Sequence, residues 1–205
     1  MVSNRRLVDD SGPDFYPTPA WGTRALLRYV SFEGSILEPC CGTGDMADVL
    51  KAAGHEVVAC DLHDRGYGAV RDFFDIQERH PNIVTNPPFN LAEEVLAHAL
   101  RLADSKVCLL LRTAFLEGRG RYEGIYRDTP PSRLIVFSQR LSMYPAGSVV
   151  DGGGTTSYSW FVWDAADTSK ETRITWIEPG MKPRTVSPKQ IEMFQHAAAA
   201  ESPAG

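Results

Sequence analysis

The chain has 205 residues, of which 43% are hydrophobic and 23% charged, and its formal net charge is -5 at neutral pH. This length predicts one domain, and the ordinary globular composition excludes a collagen-like, coiled-coil or wholly disordered protein. The acidic balance argues against a protein that coats nucleic acid through bulk charge, although it is compatible with a local basic patch.

The four cysteines indicate a reduced intracellular protein. Cys40, Cys41, Cys60 and Cys108 form no C-x-x-C pair, and three of them lie in apolar, strand-like runs. We therefore expect buried free thiols and a cytoplasmic location rather than a disulfide framework. The sequence has no run of about 18 apolar residues. Its segment 1–10 is polar with both charge signs, so we expect neither a membrane span nor a signal peptide.

Helix and strand patterns alternate through the first half of the chain. Apolar residues at helical spacing predict helices over residues 20–30, 45–53 and 91–103. Apolar and β-branched runs predict strands over residues 35–37, 56–60, 82–85, 106–111, 134–137, 158–163 and 173–177. This alternation predicts an α/β fold with a parallel sheet. The last three strands lack long intervening helices and predict some antiparallel pairing at one edge.

We expect a single domain over residues 1–178 and a C-terminal tail over residues 179–205. The tail contains Pro179, Gly180, Pro183 and Pro188 and an alanine run, so it predicts at most one short helix, at residues 190–200. No internal repeat and no linker divides the chain, which favours one continuous domain.

A glycine turn follows the first predicted strand. The segment Glu38-Pro39-Cys40-Cys41-Gly42-Thr43-Gly44 separates that strand from the second helix, and Asp61 follows the second strand. Gly42 and Gly44 can take positive φ and let a ligand approach the backbone closely, and ligands of such sheets bind at the carboxyl ends of strands. There, Asp61 can accept both hydroxyls of a ribose, and Glu38 suits a ligand with an ammonium group.

An ordinary glycine turn followed by a capping aspartate is the alternative interpretation. The third glycine of a dinucleotide-binding motif is absent, and no lysine follows as it does in a phosphate-binding loop. The turn alone therefore does not identify the ligand.

The tetrapeptide Asn86-Pro87-Pro88-Phe89 follows the predicted strand 82–85, at the same sheet edge as the glycine turn. The two prolines fix the backbone and remove two N–H donors, so the Pro87 carbonyl is a rigid acceptor. The Asn86 side-chain oxygen is a second acceptor, and Phe89 offers a ring face for stacking. Two acceptors beside a ring suit a planar, conjugated amino group whose lone pair they would expose. A rigid proline turn without chemistry is the alternative.

The glycine turn and Asp61 resemble the cofactor site of class I S-adenosylmethionine-dependent methyltransferases. This resemblance implies a Rossmann-like fold with a mostly parallel central sheet, an antiparallel edge and helices on both faces. It implies that the glycine turn packs against the methionine part of S-adenosyl-L-methionine and that Asp61 binds the ribose. The residues thus implied in cofactor binding are Glu38, Pro39, Cys40, Gly42, Gly44, Asp61 and Leu62.

The NPPF tetrapeptide resembles the (D/N/S)PP(Y/F/W) signature of amino-group methyltransferases. That family includes adenine methyltransferases of DNA and RNA, guanine methyltransferases of ribosomal RNA and glutamine methyltransferases of release factors. The resemblance implies that Asn86, Pro87, Pro88 and Phe89 are the catalytic set and that Asn86 also adjoins the cofactor. It implies direct in-line transfer with electrostatic positioning and no catalytic base.

The segment Phe15-Tyr16-Pro17-Thr18-Pro19 resembles the Tyr-x-Thr-Pro element that opens many adenine DNA methyltransferases of phage and restriction systems. In that family the element helps to hold the carboxylate of the cofactor, which implies such a role for Tyr16 and Thr18. The order of this element, the glycine turn and NPPF matches the gamma arrangement. Thr18 is also placed to cap the first helix, which is the structural alternative.

Three further segments extend the resemblance over roughly residues 14–163. Asp72 and Phe73 resemble the element that contacts the adenine of the cofactor, although a turn aspartate beside a buried phenylalanine pair is an equal alternative. Residues 61–68 and 111–118 are similar to small phage-type methyltransferases.

The segment after the fifth predicted strand is expected to recognise the substrate, because the chain has no room for a separate recognition domain of about 100 residues. We place this possible insertion at residues 112–157. Its part 112–140 carries six arginines against three acidic residues, with aromatic residues between them. Such a pattern suits phosphates and unstacked bases, whereas a solvated face with local ion pairs is the alternative. The expected substrate-binding residues are Arg112, Arg119, Arg121, Tyr122 and Arg127.

The sequence therefore predicts an S-adenosylmethionine-dependent methyltransferase that acts on an exocyclic amino group. The expected target is adenine N6 in DNA rather than RNA, reached by base flipping. Adenine or guanine in RNA and a glutamine amide are alternatives with the same chemistry. A catalytically silent S-adenosylmethionine-binding partner subunit and a nucleotide-binding dehydrogenase are alternatives from other classes. The five histidines show no metal-ligand spacing, so we expect no metal site.

Overall fold

The structure, a computed structural model, describes residues 15–143 and 156–182, and its strands form one eight-stranded sheet. The strands are β1 (Ile36–Glu38), β2 (Val57–Asp61), β3 (Ala69–Val70), β4 (His80–Thr85), β5 (Ala103–Arg112), β6 (Arg133–Phe137), β7 (Tyr158–Asp164) and β8 (Arg173–Ile177). The helices are α1 (Ala20–Tyr29), α2 (Asp45–Ala52) and α3 (Ala92–Leu102). Shorter elements are 3-10 turns at Phe73–Asp75, Phe89–Leu91 and Thr113–Leu116, and a helical turn at Arg119–Arg121 that continues as a π-helical turn at Tyr122–Tyr126.

Every predicted helix and strand within the described residues is present, with its ends within three residues of the predicted ones. The short strand β3 was not predicted, because two residues carry no periodicity. Residues 183–205 of the predicted tail and residues 144–155 of the predicted recognition segment lie outside the described residues.

The sheet has the strand order β3-β2-β1-β4-β5-β7-β6-β8. Strands β1 to β5 are mutually parallel, β7 is antiparallel to both of its neighbours, and β8 pairs parallel with β6. This arrangement confirms the predicted α/β class, with a mostly parallel sheet and antiparallel pairing towards one edge.

Alternate strand residues pack against helices on opposite faces of the sheet. Val84 packs in the cluster beneath α1 and α2, whereas its neighbour Ile83 packs beneath α3. Trp160 and Phe161 of β7 divide between the same two clusters, as the two-residue period of a strand requires. The indole N–H of Trp160 donates to the carbonyl of Gly22 at 2.9 Å, which satisfies its polar atom in the core. The prediction of helices on both faces is confirmed.

The chain leaves β1 towards β2 and β3 on one side and later reaches β4 and β5 on the other. The carboxyl ends of β1 and β4 therefore border a crevice at the switch point, where open α/β sheets bind ligands. The glycine turn follows β1 and the NPPF turn follows β4, so both open into this crevice. Among the described helices, none has the length and hydrophobicity needed to cross a bilayer.

Candidate active site

A cavity of about 310 Å³ lies at the switch point. It is bordered by the segment before α1, the β1–α2 turn, the β2–β3 loop, the 3-10 turn after β3 and the NPPF turn. The predicted site residues that line it are Tyr16, Thr18, Glu38, Pro39, Cys40, Asp61, Leu62, Asp72, Phe73, Asn86, Pro87, Pro88 and Phe89. Residues predicted from five separate segments therefore meet at one cavity.

Glu38 presents a buried carboxyl group to this cavity. The residue is 2% exposed, and its Oε2 atom has no hydrogen-bond partner among the described residues. Burial raises the pKa of Glu38 well above its usual range, and a hydrogen bond from the Ala47 backbone only partly opposes that shift of the pKa. A buried carboxyl oxygen without a partner is costly unless a ligand supplies a donor. Such a carboxyl would suit an ammonium group, and this role of Glu38 stays a prediction.

Asp61 connects the glycine turn to the end of β2. Its Oδ2 atom accepts the Gly42 backbone N–H at 2.9 Å, and its Oδ1 atom accepts the His63 backbone N–H at 2.9 Å. Each carboxylate oxygen keeps a second acceptor site, and the side chain lines the cavity. The two backbone donors fix a geometry in which Asp61 can accept from two hydroxyls of a ligand.

The two glycines of the turn are covered by aromatic rings. Gly42 and Gly44 have φ of 53° and 87°, the left-handed values that the sequence predicted. A Cβ on Gly42 would lie 2.1 Å from Cε2 of Phe15, and a Cβ on Gly44 would lie 2.3 Å from Cδ2 of Tyr67. Neither glycine lines the cavity. The space beside the two glycines is thus filled by the rings of Phe15 and Tyr67, whereas the sequence predicted that a ligand would approach the backbone there.

Phe15 and Arg65 also line the cavity, although the sequence did not indicate either side chain as part of the site. The Arg65 guanidinium carbon lies 4.2 Å from the centre of the Phe15 ring, and both residues line the cavity. The Nε atom of Arg65 is buried and has no hydrogen-bond partner among the described residues. A contact between residues so distant in the chain has no local signal, since neither residue belongs to a helix or a strand.

Asn86 is held by hydrogen bonds from its amide nitrogen, which also lies 3.7 Å from the sulfur of Met143. Nδ2 donates to the carbonyl of Tyr16 and to Oγ1 of Thr18, both at 3.1 Å. The Oδ1 atom is buried and finds no partner among the described residues. The orientation of the amide is thereby fixed, with its acceptor oxygen left over at the cavity wall.

The structural alternative for Thr18 is wrong. The cap position of α1 is occupied by Pro19, and no side chain caps this helix. Instead, the Thr18 hydroxyl accepts from Asn86 and lies buried with 5% of the residue exposed. The Tyr-x-Thr-Pro segment is therefore joined to the NPPF turn.

Phe89 lies at the mouth of the cavity among three flat groups. Its ring centre is 5.7 Å from that of Tyr16 and 5.6 Å from that of Tyr158, and the Arg112 guanidinium carbon lies 4.6 Å from it. The carbonyl of Pro88 accepts the N–H of Leu91 at 3.0 Å and closes the following 3-10 turn. Local backbone bonding therefore fixes the position of the ring.

Asp72 and Phe73 form the turn aspartate and buried ring of the structural alternative, and they also lie at the cavity. The Asp72 carboxylate caps the 3-10 turn by accepting the Phe74 N–H at 2.9 Å, and Phe73 is 4% exposed with its ring edge-on to His98. Both residues nevertheless line the cavity, and Phe74, which was not assigned a role, lines it with 38% of its surface exposed. A ring wall beside a capped carboxylate suits a flat heterocycle.

The arginines of the predicted recognition segment do not line the cavity, and three of the six pair with acidic neighbours among the described residues. Arg119 pairs with Glu123 at 2.7 Å between Nε and Oε1, Arg121 with Glu93 at 2.8 Å between the same atom types, and Arg127 with Asp128. The start of the segment, at the end of β5, adjoins the site. The segment then crosses to the opposite sheet edge at the start of β6 and returns along β6 to the edge of the site, because β5 and β6 run in the same direction.

Tyr122 is exposed, with 58% of its surface accessible. Within the described part of the segment, Arg112 is the predicted substrate residue that contacts the NPPF turn. The other predicted substrate residues do not line the cavity.

All four cysteines lie within the described residues and are free thiols. Cys41, Cys60 and Cys108 are buried, as the sequence predicted, whereas Cys40 is half-buried. Burial raises the pKa of the Cys41 thiol to about 12, which keeps it protonated and unreactive. The described residues contain no group of three or more His, Cys, Asp or Glu side chains that could hold a metal ion.

Comparison of sequences identifies no relative: no protein-family model and no curated protein matches this chain. Comparison of structures finds a candidate RNA methyltransferase from Pyrococcus horikoshii, with a TM-score of 0.56 and 17% identity over 74% of this chain and 86% of that one. It also finds a modification subunit of a candidate type I restriction enzyme from Vibrio vulnificus, with a TM-score of 0.52 and 13% identity over 96% of this chain.

This chain covers 55% of the length of the Vibrio vulnificus subunit. A third match is magnesium protoporphyrin IX methyltransferase from Synechocystis with bound S-adenosylmethionine, at a TM-score of 0.48 and 16% identity over 69% of this chain and 76% of that one. At such identities the likeness concerns the fold. The chain therefore has the Rossmann-like α/β fold of the Pyrococcus horikoshii and Vibrio vulnificus proteins.

Proposed function

We propose that the protein is an S-adenosylmethionine-dependent methyltransferase that methylates an exocyclic amino group, with adenine N6 in DNA as the favoured target. The observation that carries this proposal is the buried Oδ1 atom of Asn86 at the wall of the switch-point cavity, which has no hydrogen-bond partner within residues 15–143 and 156–182. A protein interior seldom leaves such an acceptor unsatisfied, and a substrate amino group would satisfy it.

The residues around the cavity fit the parts of S-adenosyl-L-methionine. The Glu38 carboxyl would take the ammonium group, Asp61 would take the ribose hydroxyls, and Asp72 with the Phe73–Phe74 pair would border the adenine. Support for this fit comes from the orphaned Glu38 oxygen, which needs a cationic donor. The methyltransferase-like fold, which places its ligand crevice at this switch point, supports the same assignment.

When bound, the cofactor supplies an activated methyl group on a sulfonium. The Asn86 oxygen and the Pro87 carbonyl would accept the two N–H groups of the target amine and draw its nitrogen towards tetrahedral geometry. The lone pair exposed by these two acceptors would then take the methyl group, so that an N–C bond replaces the S–C bond of the sulfonium. One amine proton leaves afterwards to solvent, so the chain needs no catalytic base.

The substrate proposal depends on the surroundings of Phe89. Its ring can stack on an extruded base, and Arg112, Arg119, Arg121 and Tyr122 would contact the nucleic acid around it. A glutamine side chain carries no phosphate and would not use the arginines. Two of the structurally similar proteins are described as a candidate RNA methyltransferase and a restriction modification subunit, which adds support for a nucleic acid. The order of Tyr-x-Thr-Pro, glycine turn and NPPF favours the gamma group of adenine DNA methyltransferases.

RNA is the second candidate substrate, because an extruded adenine or guanine presents the same planar amine to Asn86. Transfer of tritiated methyl groups to separate DNA, RNA and protein pools distinguishes these substrates. The proposal predicts label in DNA. Label in RNA would instead identify RNA as the substrate. Label in protein alone, or no label in any pool despite cofactor binding, would contradict a nucleic-acid methyltransferase.

A further inference from the structure

The guanidinium group of Arg112 covers the ring of Phe89. Its central carbon lies 4.6 Å from the ring centre, within the range of a cation–π contact. The other flat neighbours of Phe89, Tyr16 and Tyr158, pack at tilts of 41° and 33° with larger separations. A planar cation therefore occupies the place beside this ring where a planar base would stack.

Arg112 has little else to hold it in that position. It is the last residue of β5, it is exposed, and its strand partner is Tyr158. Among the described residues, no carboxylate forms an ion pair with Arg112, whereas Arg119, Arg121 and Arg127 each have one. The contact with Phe89 is thus weak enough to be exchanged for another.

We propose that Arg112 holds the stacking place of the target base in the free protein and moves onto a substrate phosphate when the base inserts. This inference rests on the proposed function, because it takes an extruded base as the substrate. A stacked base contributes about 5- to 150-fold in affinity. An exposed cation–π contact contributes only about two- to fivefold. Insertion of the base is therefore favoured over the resident arginine.

This exchange gives Arg112 opposite effects on two ligands. For a nucleoside, which has no phosphate, Arg112 is a competitor for the ring. For an oligonucleotide, the displaced guanidinium gains a phosphate partner, which it binds through parallel N–H donors. A residue that only stabilised the fold would change both affinities in the same direction.

The experiment compares wild type with Arg112→Ala and Arg112→Lys, with the cofactor site filled by S-adenosylhomocysteine. The two probes are the uncharged nucleoside 2-aminopurine deoxyriboside, followed by fluorescence, and single-stranded oligo(dA), whose bases need no extrusion. We expect Arg112→Ala to bind the nucleoside about two- to fivefold more tightly. We expect it to bind oligo(dA) more weakly, with a slope of log K against log salt that is shallower by about 0.7.

The lysine variant separates charge from shape. Arg112→Lys keeps one cation for the phosphate but loses the plane that covers the ring, so the salt slope should match that of wild type while the nucleoside binds more tightly. Arg79→Ala is the matched control, since Arg79 precedes β4 at the opposite sheet edge. It should change neither measurement.

Nucleoside affinity that is unchanged or weaker in Arg112→Ala would overturn the inference, and so would an unchanged salt slope. If wild type methylates DNA while the variants show no opposite effects, this inference alone fails. If wild type binds neither probe and transfers no methyl group to any nucleic acid, the proposed function fails and the inference fails with it.

Discussion

The amide nitrogen of Asn86 donates to the hydroxyl of Thr18 at 3.1 Å, across 68 positions of the sequence. This bond, together with the one to the Tyr16 carbonyl, joins the segment before α1 to the turn after β4. It also sets the direction of the remaining amide oxygen. The same side chain therefore joins two walls of the cavity through its nitrogen and carries the proposed acceptor for the target amine on its oxygen.

Replacing Asn86 by alanine should lower kcat by about 10²- to 10³-fold, because a positioned polar group that acts on the reacting centre is lost. The dissociation constant of S-adenosylmethionine should change by only a few fold, since the side chain acts mainly on the amine. Steady-state methyl transfer and calorimetry measure the two effects.

Thr18→Val is the matched control for the Asn86 variant. It removes one anchor of the amide but keeps the Asn86 oxygen, so it should lose far less turnover than Asn86→Ala. Equal losses in the two variants would mean that Asn86 acts only by anchoring the segment before α1, against the proposed role of Oδ1.

Asp61→Ala should weaken S-adenosylmethionine binding at least about tenfold, because hydrogen bonds to a charged acceptor contribute about 1.5–3 kcal/mol each. Part of this loss comes from the Gly42 N–H, which the carboxylate now accepts at 2.9 Å. Asp64→Ala removes the neighbouring carboxylate of the same loop, which accepts the Gly66 N–H instead, and should leave the affinity unchanged. Calorimetry that finds equal affinities in both variants would remove the ribose assignment of Asp61.

The buried carboxyl of Glu38 makes cofactor binding depend on pH. Because burial raises the pKa of Glu38 well above 4.5, the free protein keeps a proton on this carboxyl to a higher pH than an exposed glutamate does, and an ammonium ligand would expel that proton. Affinity for S-adenosylmethionine should therefore rise with pH through the raised pKa of Glu38, up to the titration of the ligand ammonium at about pH 8. Glu38→Gln should abolish this dependence. A pH profile of binding that is the same in wild type and Glu38→Gln would contradict the ammonium assignment.

The Glu38 carboxyl should also make the stability of the ligand-free protein fall as pH rises, whereas the affinity for the cofactor should rise with pH. Between pH 4.5 and the raised pKa of Glu38, the folded state holds more protons than the unfolded state, so the free energy of unfolding falls as pH rises. Glu38→Gln should thus stabilise the ligand-free protein at neutral pH, with the gain vanishing below pH 4.5. Urea unfolding at several pH values measures this difference, and a uniformly destabilised variant would contradict it.

Gly42→Ala should destabilise the protein more than Gly66→Ala does. Both positions have positive φ, 53° and 77°, and both variants bear the cost of a left-handed alanine, about 1–2 kcal/mol. A Cβ at Gly42 also meets Phe15 at 2.1 Å, whereas a Cβ at Gly66 meets nothing within 4 Å. Urea unfolding and cofactor titration should show an additional loss for Gly42→Ala alone. Equal losses would mean that the Phe15 ring moves aside without cost.

Local patterns in the sequence predicted the elements and the place of the site. The alternation of helix and strand periods gave a parallel sheet, and the carboxyl ends of neighbouring parallel strands must lie at one edge. Glu38, Asp61 and Asn86 each follow or end such a strand, so their meeting at one cavity follows from topology.

The contacts that the sequence did not predict are between segments without regular structure. Thr18 satisfies the local rule for a helix cap, yet a tertiary bond from Asn86 takes its hydroxyl instead. The positions of Phe15 over Gly42 and Arg65 over Phe15 depend on how two loops pack together. Composition predicted an arginine-rich surface but could not indicate that Arg121 pairs with Glu93 of α3.

The most direct test of the account is the identity of the methylated atom. After reaction with isotopically labelled S-adenosylmethionine, DNA and RNA are digested to nucleosides and separated by mass spectrometry, with Asn86→Ala in parallel. The account predicts label in N6-methyldeoxyadenosine from DNA, reduced by about 10²- to 10³-fold in the variant. Label on a ring carbon or a ribose oxygen, or equal labelling by the variant, would contradict methylation of an amino group held by Asn86.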